Sequence, residues 1–152
     1  MENKLKSALS AIKTGVPIEE ASRSVDWKDF EGLVAEILES KNFEVICNFR
    51  MKNPTMEIDV IGTHLGTAIL IDCKHWKRMT NSMLEEIVLK QIERVKYYVA
   101  TTDEIVAAPV IVTLYQEETR FISKVPIVPI IQFSSFIDEF YGDLEEIKTI
   151  EK

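Results

Sequence analysis

The chain has 152 residues, of which 46% are hydrophobic and 28% are charged. This length and composition exclude a disordered chain and predict one globular domain, or a domain with a small appendage, with a sizeable core. The net charge of −7 argues against a protein that binds nucleic acid through a large basic surface.

The acidic charge is concentrated toward the end of the chain. Residues 102–152 contain ten acidic and four basic residues, whereas residues 1–101 contain fifteen and fourteen. The first two thirds of the chain are thus nearly neutral and remain compatible with a phosphate-containing partner.

Apolar segments and cysteines indicate the compartment. The longest apolar stretches are too short to span a bilayer, and no secretory leader opens the chain, so we expect a cytoplasmic protein that does not contact membranes. Cys47 and Cys73 lack the spacing of a zinc site and fall in predicted strands. We therefore expect both to be buried free thiols in a reducing compartment.

Two short helices are predicted at the start of the chain. Residues 2–14 have the apolar period of an amphipathic helix, and Pro17 suits the first turn of a second one. Segment 1–25 is therefore an N-terminal helical appendage that either covers the core or contacts a partner. The main domain is predicted to span residues 26–152.

The main domain is predicted to open with a helix from the capping residue Asp26 to about Ser40. Its apolar stripe contains Trp27, Phe30, Val34, Ile37 and Leu38. Glu31 shares the edge of that stripe facing the sheet, where an acid needs a cation or a hydrogen-bond donor. The alternative is that Glu31 reaches solvent at the first turn.

A strand is predicted over residues 43–49, followed by a basic loop. Arg50 and Lys52 lie in this loop, just before the chain is interrupted by Asn53-Pro54. The two bases either contact phosphate or are simply solvated.

A β-hairpin is predicted from two β-branched runs, 57–62 and 67–74, joined by a glycine-containing turn. Because side chains alternate along a strand, Asp72 and Lys74 share one face. Both faces of this strand are apolar for most of its length, which is typical of a central strand covered on both sides. If the hairpin register adds Asp59 to the Asp72 face, three charged groups converge.

Two such neighbouring carboxylates repel each other unless a divalent cation or an ammonium group lies between them. The alternative is an ion pair between Lys74 and one aspartate, with the other aspartate solvated at the sheet edge.

Next, Ser82 and Glu85 predict a capping box for a helix that runs to about Val99. Its buried stripe contains Leu84, Val88, Gln91, Val95 and Tyr98. Gln91 is the polar member: it either bonds to the backbone within the core or reaches toward the charged cluster. Lys90 and Arg94 are expected on the exposed face.

Strands are predicted over 106–115 and 125–132, followed by a helix that opens at Ser134 or Ser135. Pro126 and Pro129 favour an edge position for the second strand. The resulting prediction is an α/β domain with a mixed central sheet of about five strands flanked by helices.

The arrangement of Asp59, Asp72 and Lys74 resembles the PD-(D/E)xK restriction-endonuclease-like superfamily. Within it, the chain looks closest to Mrr-type endonuclease domains and archaeal Holliday junction resolvases, over roughly residues 26–100. Two departures are Ile58, where the family has proline, and the aspartate at position 72, where glutamate is commoner.

The resemblance implies a restriction-endonuclease-like fold and a DNA endonuclease that depends on Mg²⁺, for which Mn²⁺ may substitute. By this resemblance Glu31, Asp59 and Asp72 hold the metal and Lys74 stabilises the attacking hydroxide. Gln91 corresponds to a catalytic-site glutamine on the equivalent helix of several such nucleases.

The substrate-binding residues expected under this hypothesis are Arg50, Lys52, Trp76, Lys77 and Arg78. We expect a homodimer formed through strand 125–131 or the N-terminal helices, DNA as the partner, and no small-molecule cofactor. The alternatives are a non-catalytic nucleic-acid-binding or assembly module that retains the fold, and an enzyme of another class.

Overall fold

The computed structural model describes residues 27–74, 79–102, 105–114 and 119–151. The helices are α1 (Trp27–Ser40), α2 (Asn81–Ala100) and α3 (Ile130–Glu139), with a 3₁₀ helix at Leu144–Glu146. The strands are β1 (Glu44–Met51), β2 (Met56–His64), β3 (Thr67–Lys74), β4 (Val106–Thr113), β5 (Arg120–Ile122), β6 (Val125–Pro129) and β7 (Ile150–Glu151). The predicted appendage 1–25 and the Asp26 cap lie outside the described residues.

The described strands form one mixed sheet in the order β1-β2-β3-β4-β6-β5, and β7 pairs with β4. β1, β2 and β3 are antiparallel neighbours, whereas β4 joins β3, and β6 joins β4, in parallel. The predicted α/β architecture with a mixed central sheet is confirmed. The sequence predicted about five strands and did not predict β5 and β7, because segments of three and two residues are too short to show an alternating pattern.

The β2–β3 hairpin turns more tightly than the sequence indicated. β2 continues to His64, and the turn consists of Leu65 and Gly66, whose φ angles are 51° and 74°. Two consecutive positive φ angles are typical of the type I′ turn that matches the twist of hairpin strands. This turn fixes a register in which Val60 lies opposite Ile71.

Helices cover both faces of the sheet, as predicted for its central strand. Side chains of α1 and α3 pack on the face that contains Ile69, Ile71 and Cys73 of β3. Side chains of α2 pack on the opposite face, against residues that include Leu70 and Ile111. The first seven residues of β3 are consequently buried.

Gly62 allows α1 to approach the sheet closely. A Cβ atom at this position would lie 2.9 Å from Cδ1 of Leu38, which is shorter than a van der Waals contact. The fully buried Leu38 thus occupies the space that a side chain at position 62 would need.

Two predictions about sheet position were wrong. Cys47 is exposed because β1 forms an edge of the sheet, whereas Cys73 is buried as expected. β6 is an interior strand, because β5 covers its outer side. Its prolines are tolerated because Pro126 lies opposite β5 alone and Pro129 is the last residue paired with β4.

Two predicted helix starts were also wrong. α2 begins at Asn81, and the side chain of Thr80, not a Ser82–Glu85 box, accepts a hydrogen bond from the Met83 N–H. α3 begins at Ile130, directly after Pro129, because apolar residues assigned to the preceding strand form its first turn. None of the described helices is long and apolar enough to cross a membrane.

Candidate active site

A charged cluster lies at the carboxyl end of β3, where β3 runs parallel to β4. The carboxyl ends of parallel strands are where α/β sheets commonly bind ligands. Asp72 is buried there, and Nζ of Lys74 lies 3.4 Å from its Oδ2. Both residues thus lie on one face at the end of the buried strand, as the alternation along β3 predicted.

Asp59 joins this cluster because the β2–β3 ladder ends beside it. The last backbone pair of the ladder is Val60 with Ile71. One step further, Oδ2 of Asp59 accepts a hydrogen bond from the Cys73 N–H at 2.9 Å. A carboxylate therefore takes the place of a strand partner, and it is held next to Asp72.

The carboxyl group of Asp72 lies in an unfavourable environment for a negative charge. Burial raises the pKa of Asp72 to about 6, against the opposing positive charges of Lys74 and Arg94. The charge of Asp59, and a hydrogen bond between the two carboxyl groups, also contribute to this increase. Within the described residues, Oδ2 of Asp72 is buried and has no hydrogen-bond partner. Lys74 and Arg94 thus form only long ion pairs with this oxygen, at 3.4 and 3.8 Å, and neither donates a hydrogen bond to it.

Gln91 and Arg94 approach the cluster from α2. Nε2 of Gln91 donates to the Leu70 carbonyl at 2.8 Å, and its Oε1 accepts from Nη1 of Arg94 at 3.0 Å. Nη1 of Arg94 also lies 3.8 Å from Oδ2 of Asp72. Gln91 thus bonds to the backbone, as one alternative held, and it reaches the cluster through Arg94.

Arg94 is the site residue that the sequence reasoning placed wrongly. Its side chain is 23% exposed and points at the cluster instead of lining the outer face of α2. The signal for this position was available, because residues three apart on a helix share a face and Gln91 was assigned to the buried stripe.

A cleft of about 430 Å³ opens over the cluster. It is lined by Thr55, Met56, Glu57, Asp59, Asp72, Lys74, Lys90, Glu93 and Arg94. A neighbouring cavity of about 310 Å³ shares Asp72, Lys74, Lys90 and Arg94 with it and continues along α2. The Asp72 side chain, which is 8% exposed, therefore lies at the floor of a cleft whose wall carries both acidic and basic side chains.

Glu31, on α1, lies near Cys73 and not in the lining of the cleft. It is buried, and its charge contributes to raising the pKa of Cys73, although burial and then Asp59 and Asp72 contribute more. In the described part of the chain, no three Asp, Glu, His or Cys residues lie close enough together to hold a metal ion. Asp59 and Asp72 are therefore the two carboxyl groups in direct contact, and Glu31 does not join them as a third.

The predicted substrate-binding residues are described only in part. Nε of Arg50 lies 3.8 Å from Oε2 of Glu57, a residue of the cleft wall, so Arg50 is near the mouth of the cleft. Lys52 is exposed in the turn between β1 and β2. Trp76, Lys77 and Arg78 lie outside the described residues.

Comparison with known families decides the class of the protein. A family model for the restriction endonuclease domain Mrr_cat matches residues 22–114. The chain belongs to this family. The matched residues extend from before α1 to the end of β4 and include Glu31, Asp59, Asp72 and Lys74, so the predicted resemblance to restriction-endonuclease-like proteins is confirmed.

The chain is also similar to three individual proteins. An uncharacterized protein of Archaeoglobus fulgidus is 31% identical over 124 residues, which cover 79% of this chain and 95% of that protein. The small subunit of the heterodimeric restriction endonuclease R.BspD6I has the same fold, with a TM-score of 0.52 and 15% identity over 94% of this chain and 82% of that one. A crystal structure of a protein of unknown function is 24% identical with a TM-score of 0.43; the match covers 55% of this chain and 44% of that one.

Proposed function

We propose that this Mrr_cat protein is a metal-dependent DNA endonuclease that hydrolyses phosphodiester bonds in restriction, repair or recombination. The observation that carries the proposal is the buried Oδ2 of Asp72, which has no hydrogen-bond partner among the described residues and lies beside Asp59 under a cleft that also carries Lys74, Lys90 and Arg94. Lys74 forms an ion pair with this oxygen, but its Nζ lies 3.4 Å away, which is longer than the roughly 2.7–2.9 Å of a strong charge-assisted hydrogen bond.

The donor set at this position suits Mg²⁺, or Mn²⁺ in its place. Asp59 and Asp72 offer carboxylate oxygens, and a divalent cation between them favours the charged form of both groups. Mg²⁺ commonly binds through only one or two carboxylates and completes its shell with water and substrate phosphate oxygens. Two aspartates thus suffice as protein ligands, and Glu31 acts from the α1 side through water. When bound, the metal supplies a water molecule of lowered pKa.

The protein's own residues position and stabilise the reacting groups. Hydrolysis forms a bond from a water oxygen to phosphorus and breaks one P–O ester bond; the departing oxygen takes up a proton, which leaves a phosphomonoester and a hydroxyl group. The ammonium group of Lys74 stabilises the attacking hydroxide and the charge that develops on phosphorus. Gln91 is held in position by its hydrogen bond to the Leu70 carbonyl of β3.

Contacts outside the cluster orient the DNA. Arg50 pairs with Glu57 of the cleft wall, Lys52 is exposed in the adjoining β1–β2 turn, and Lys90 lines the cleft from α2. Trp76, Lys77 and Arg78 follow in the sequence soon after the end of β3. Basic side chains of this kind bind the phosphate backbone and do not read base sequence.

A homodimer gives the protein the two active sites that cutting both strands requires. Strand β6 does not supply the contact, because β4 and β5 flank it on both sides. The N-terminal helices remain the proposed contact. The fold match to one subunit of a heterodimeric restriction endonuclease supports an assembly of two such domains.

Cleavage assays test the proposal directly. Labelled duplex, flap, four-way junction and methylated DNA are incubated with wild-type protein in Mg²⁺, Mn²⁺ or EDTA, with Asp72→Ala as the matched inactive variant. We expect cleavage of at least one DNA with Mg²⁺ or Mn²⁺ and none with EDTA or the variant. DNA binding without cleavage in either metal, or saturable Mg²⁺ binding that cannot be detected, would favour a non-catalytic binding module.

A further inference from the structure

We propose that Arg94 is a second cationic catalytic residue, which pairs with Asp72 in the metal-free site and binds the substrate phosphate once the metal occupies the carboxylates. This inference rests on the proposed nuclease function and adds a residue to its machinery. Its support is a chain of contacts that leaves β3 at Leu70 and returns to it at Asp72.

Each link of that chain has a defined direction. The Leu70 carbonyl accepts from Nε2 of Gln91 at 2.8 Å, which fixes the orientation of the buried amide. The amide oxygen therefore faces Nη1 of Arg94, at 3.0 Å. Arg94 is in turn directed at Oδ2 of Asp72, so Gln91 acts as a positioning residue for the guanidinium.

The pairing of Arg94 with Asp72 is too loose for a structural ion pair. Nη1 lies 3.8 Å from Oδ2, beyond hydrogen-bond distance, and the side chain remains 23% exposed to the cleft. A guanidinium that anchors a buried carboxylate normally does so at about 2.7–2.9 Å, often with two parallel bonds. Arg94 is therefore placed as a nearby counter-charge that another cation can replace.

Once a metal ion has replaced it beside Asp72, Arg94 can bind a phosphate group of the substrate. Its planar guanidinium presents donors in a fork that matches two phosphate oxygens, a geometry that lysine cannot reproduce. Arg94 and Lys74 line the same cleft as Asp72 and lie within 4 Å of the same Oδ2 atom, at 3.8 and 3.4 Å. A phosphodiester next to the carboxylates would thus meet a cation from β3 and another from α2.

This role predicts effects of opposite sign on metal binding and on catalysis. Removal of Arg94 removes a charge that competes for Asp72, so Mg²⁺ should bind more tightly, by a factor on the order of ten, as is usual for coupled binding equilibria. The same change removes a contact to the phosphate, so cleavage at saturating Mg²⁺ should fall about 10²-fold.

The experiment measures Mg²⁺ affinity by titration calorimetry without DNA, cleavage at saturating Mg²⁺, and melting temperature. The variants are Arg94→Ala, Arg94→Lys, Gln91→Met and the Gln91→Met/Arg94→Ala double variant. Lys96→Ala is the control, because Lys96 is an exposed base on the same helix that does not line the cleft. Arg94→Lys keeps the charge but loses the fork, so we expect near wild-type Mg²⁺ affinity with slow cleavage.

The double variant separates positioning from structure. If Gln91 acts through Arg94, the double variant has the Mg²⁺ affinity and cleavage rate of Arg94→Ala alone, and only its melting temperature is lower. Unchanged or weakened Mg²⁺ binding in Arg94→Ala, or additive rate losses in the double variant, would overturn the inference while leaving the nuclease proposal in place. A wild-type protein that neither binds Mg²⁺ nor cuts DNA refutes both.

Discussion

Replacement of Asp72 by asparagine should make the protein more stable at neutral and alkaline pH. In the folded protein the pKa of Asp72 is raised from 3.8 to about 6, chiefly by burial. Because the folded state holds this proton more tightly than the unfolded chain, the stability that the group contributes is fully present below about pH 4 and is lost as the pH rises through about 6. At about 1.4 kcal/mol per pKa unit, the loss is roughly 3 kcal/mol.

Asparagine has nearly the same shape as the protonated aspartate and stays neutral at every pH. Its amide can also donate to Asp59, as the protonated carboxyl group does. We therefore expect Asp72→Asn to be about 3 kcal/mol more stable than wild type at pH 8 and nearly equal to it at pH 4. For a domain of this size the difference at pH 8 amounts to roughly 6–12 °C in melting temperature.

The assay is urea denaturation and calorimetry of both proteins in EDTA from pH 4 to pH 8. Glu85→Gln is the matched control, since it removes one negative charge from an exposed position of α2. If Asp72→Asn loses stability at pH 8, the carboxylate forms a stabilising ion pair with Lys74 and Arg94, and the account of the site is refuted. A gain of equal size at pH 4 would show that the charge of Asp72 is not its cause.

Four further results are expected. Lys74→Ala should retain Mg²⁺ binding by calorimetry but cut the best DNA of the panel about 10²–10³-fold more slowly; equal loss of both would contradict its assigned role. Saturating Mg²⁺, at about 100 times its dissociation constant, should stabilise wild type by about 2.7 kcal/mol in thermal scans and leave Asp72→Asn almost unaffected. Gly62→Val should cost about 1–3 kcal/mol in urea denaturation because its side chain collides with Leu38; unchanged stability would mean that α1 moves freely. Analytical ultracentrifugation at tens of micromolar should show a dimer, and a monomer would argue against the proposed assembly.

Local patterns were sufficient to predict much of the sheet and the acidic part of the site. β3 has apolar residues on both faces, which marks a central strand, and alternation alone puts Asp72 and Lys74 on one side. The sequence left open whether Asp59 joins them, because it did not fix the hairpin register; the two-residue turn Leu65-Gly66 of the structure does so. These inferences involve short separations along the chain.

Features that depend on distant parts of the chain were not predictable in this way. Cys47 follows the apolar residues Val45 and Ile46, and only the strand order places this run at an edge of the sheet. β5 pairs with β6 through a ladder of three residues, which carries no period of its own. The direction of Arg94 depends on the backbone carbonyl that orients Gln91, which is a tertiary contact between α2 and β3.

The site is also where this sequence departs from the rules that favour stability. An apolar residue at position 72 would suit a strand whose first seven residues are buried, yet the chain carries a carboxylate there. Lys74 from β3 and Arg94 from α2 form ion pairs with Oδ2 at 3.4 and 3.8 Å, and neither donates a hydrogen bond to it. Shortening either distance would stabilise the metal-free protein, but it would also fill the position that we propose for a divalent cation. Lys74 and Arg94 thus offset only part of the free-energy cost of burying the Asp72 charge. A buried charge that lowers stability in this way indicates that Asp72 is retained for function.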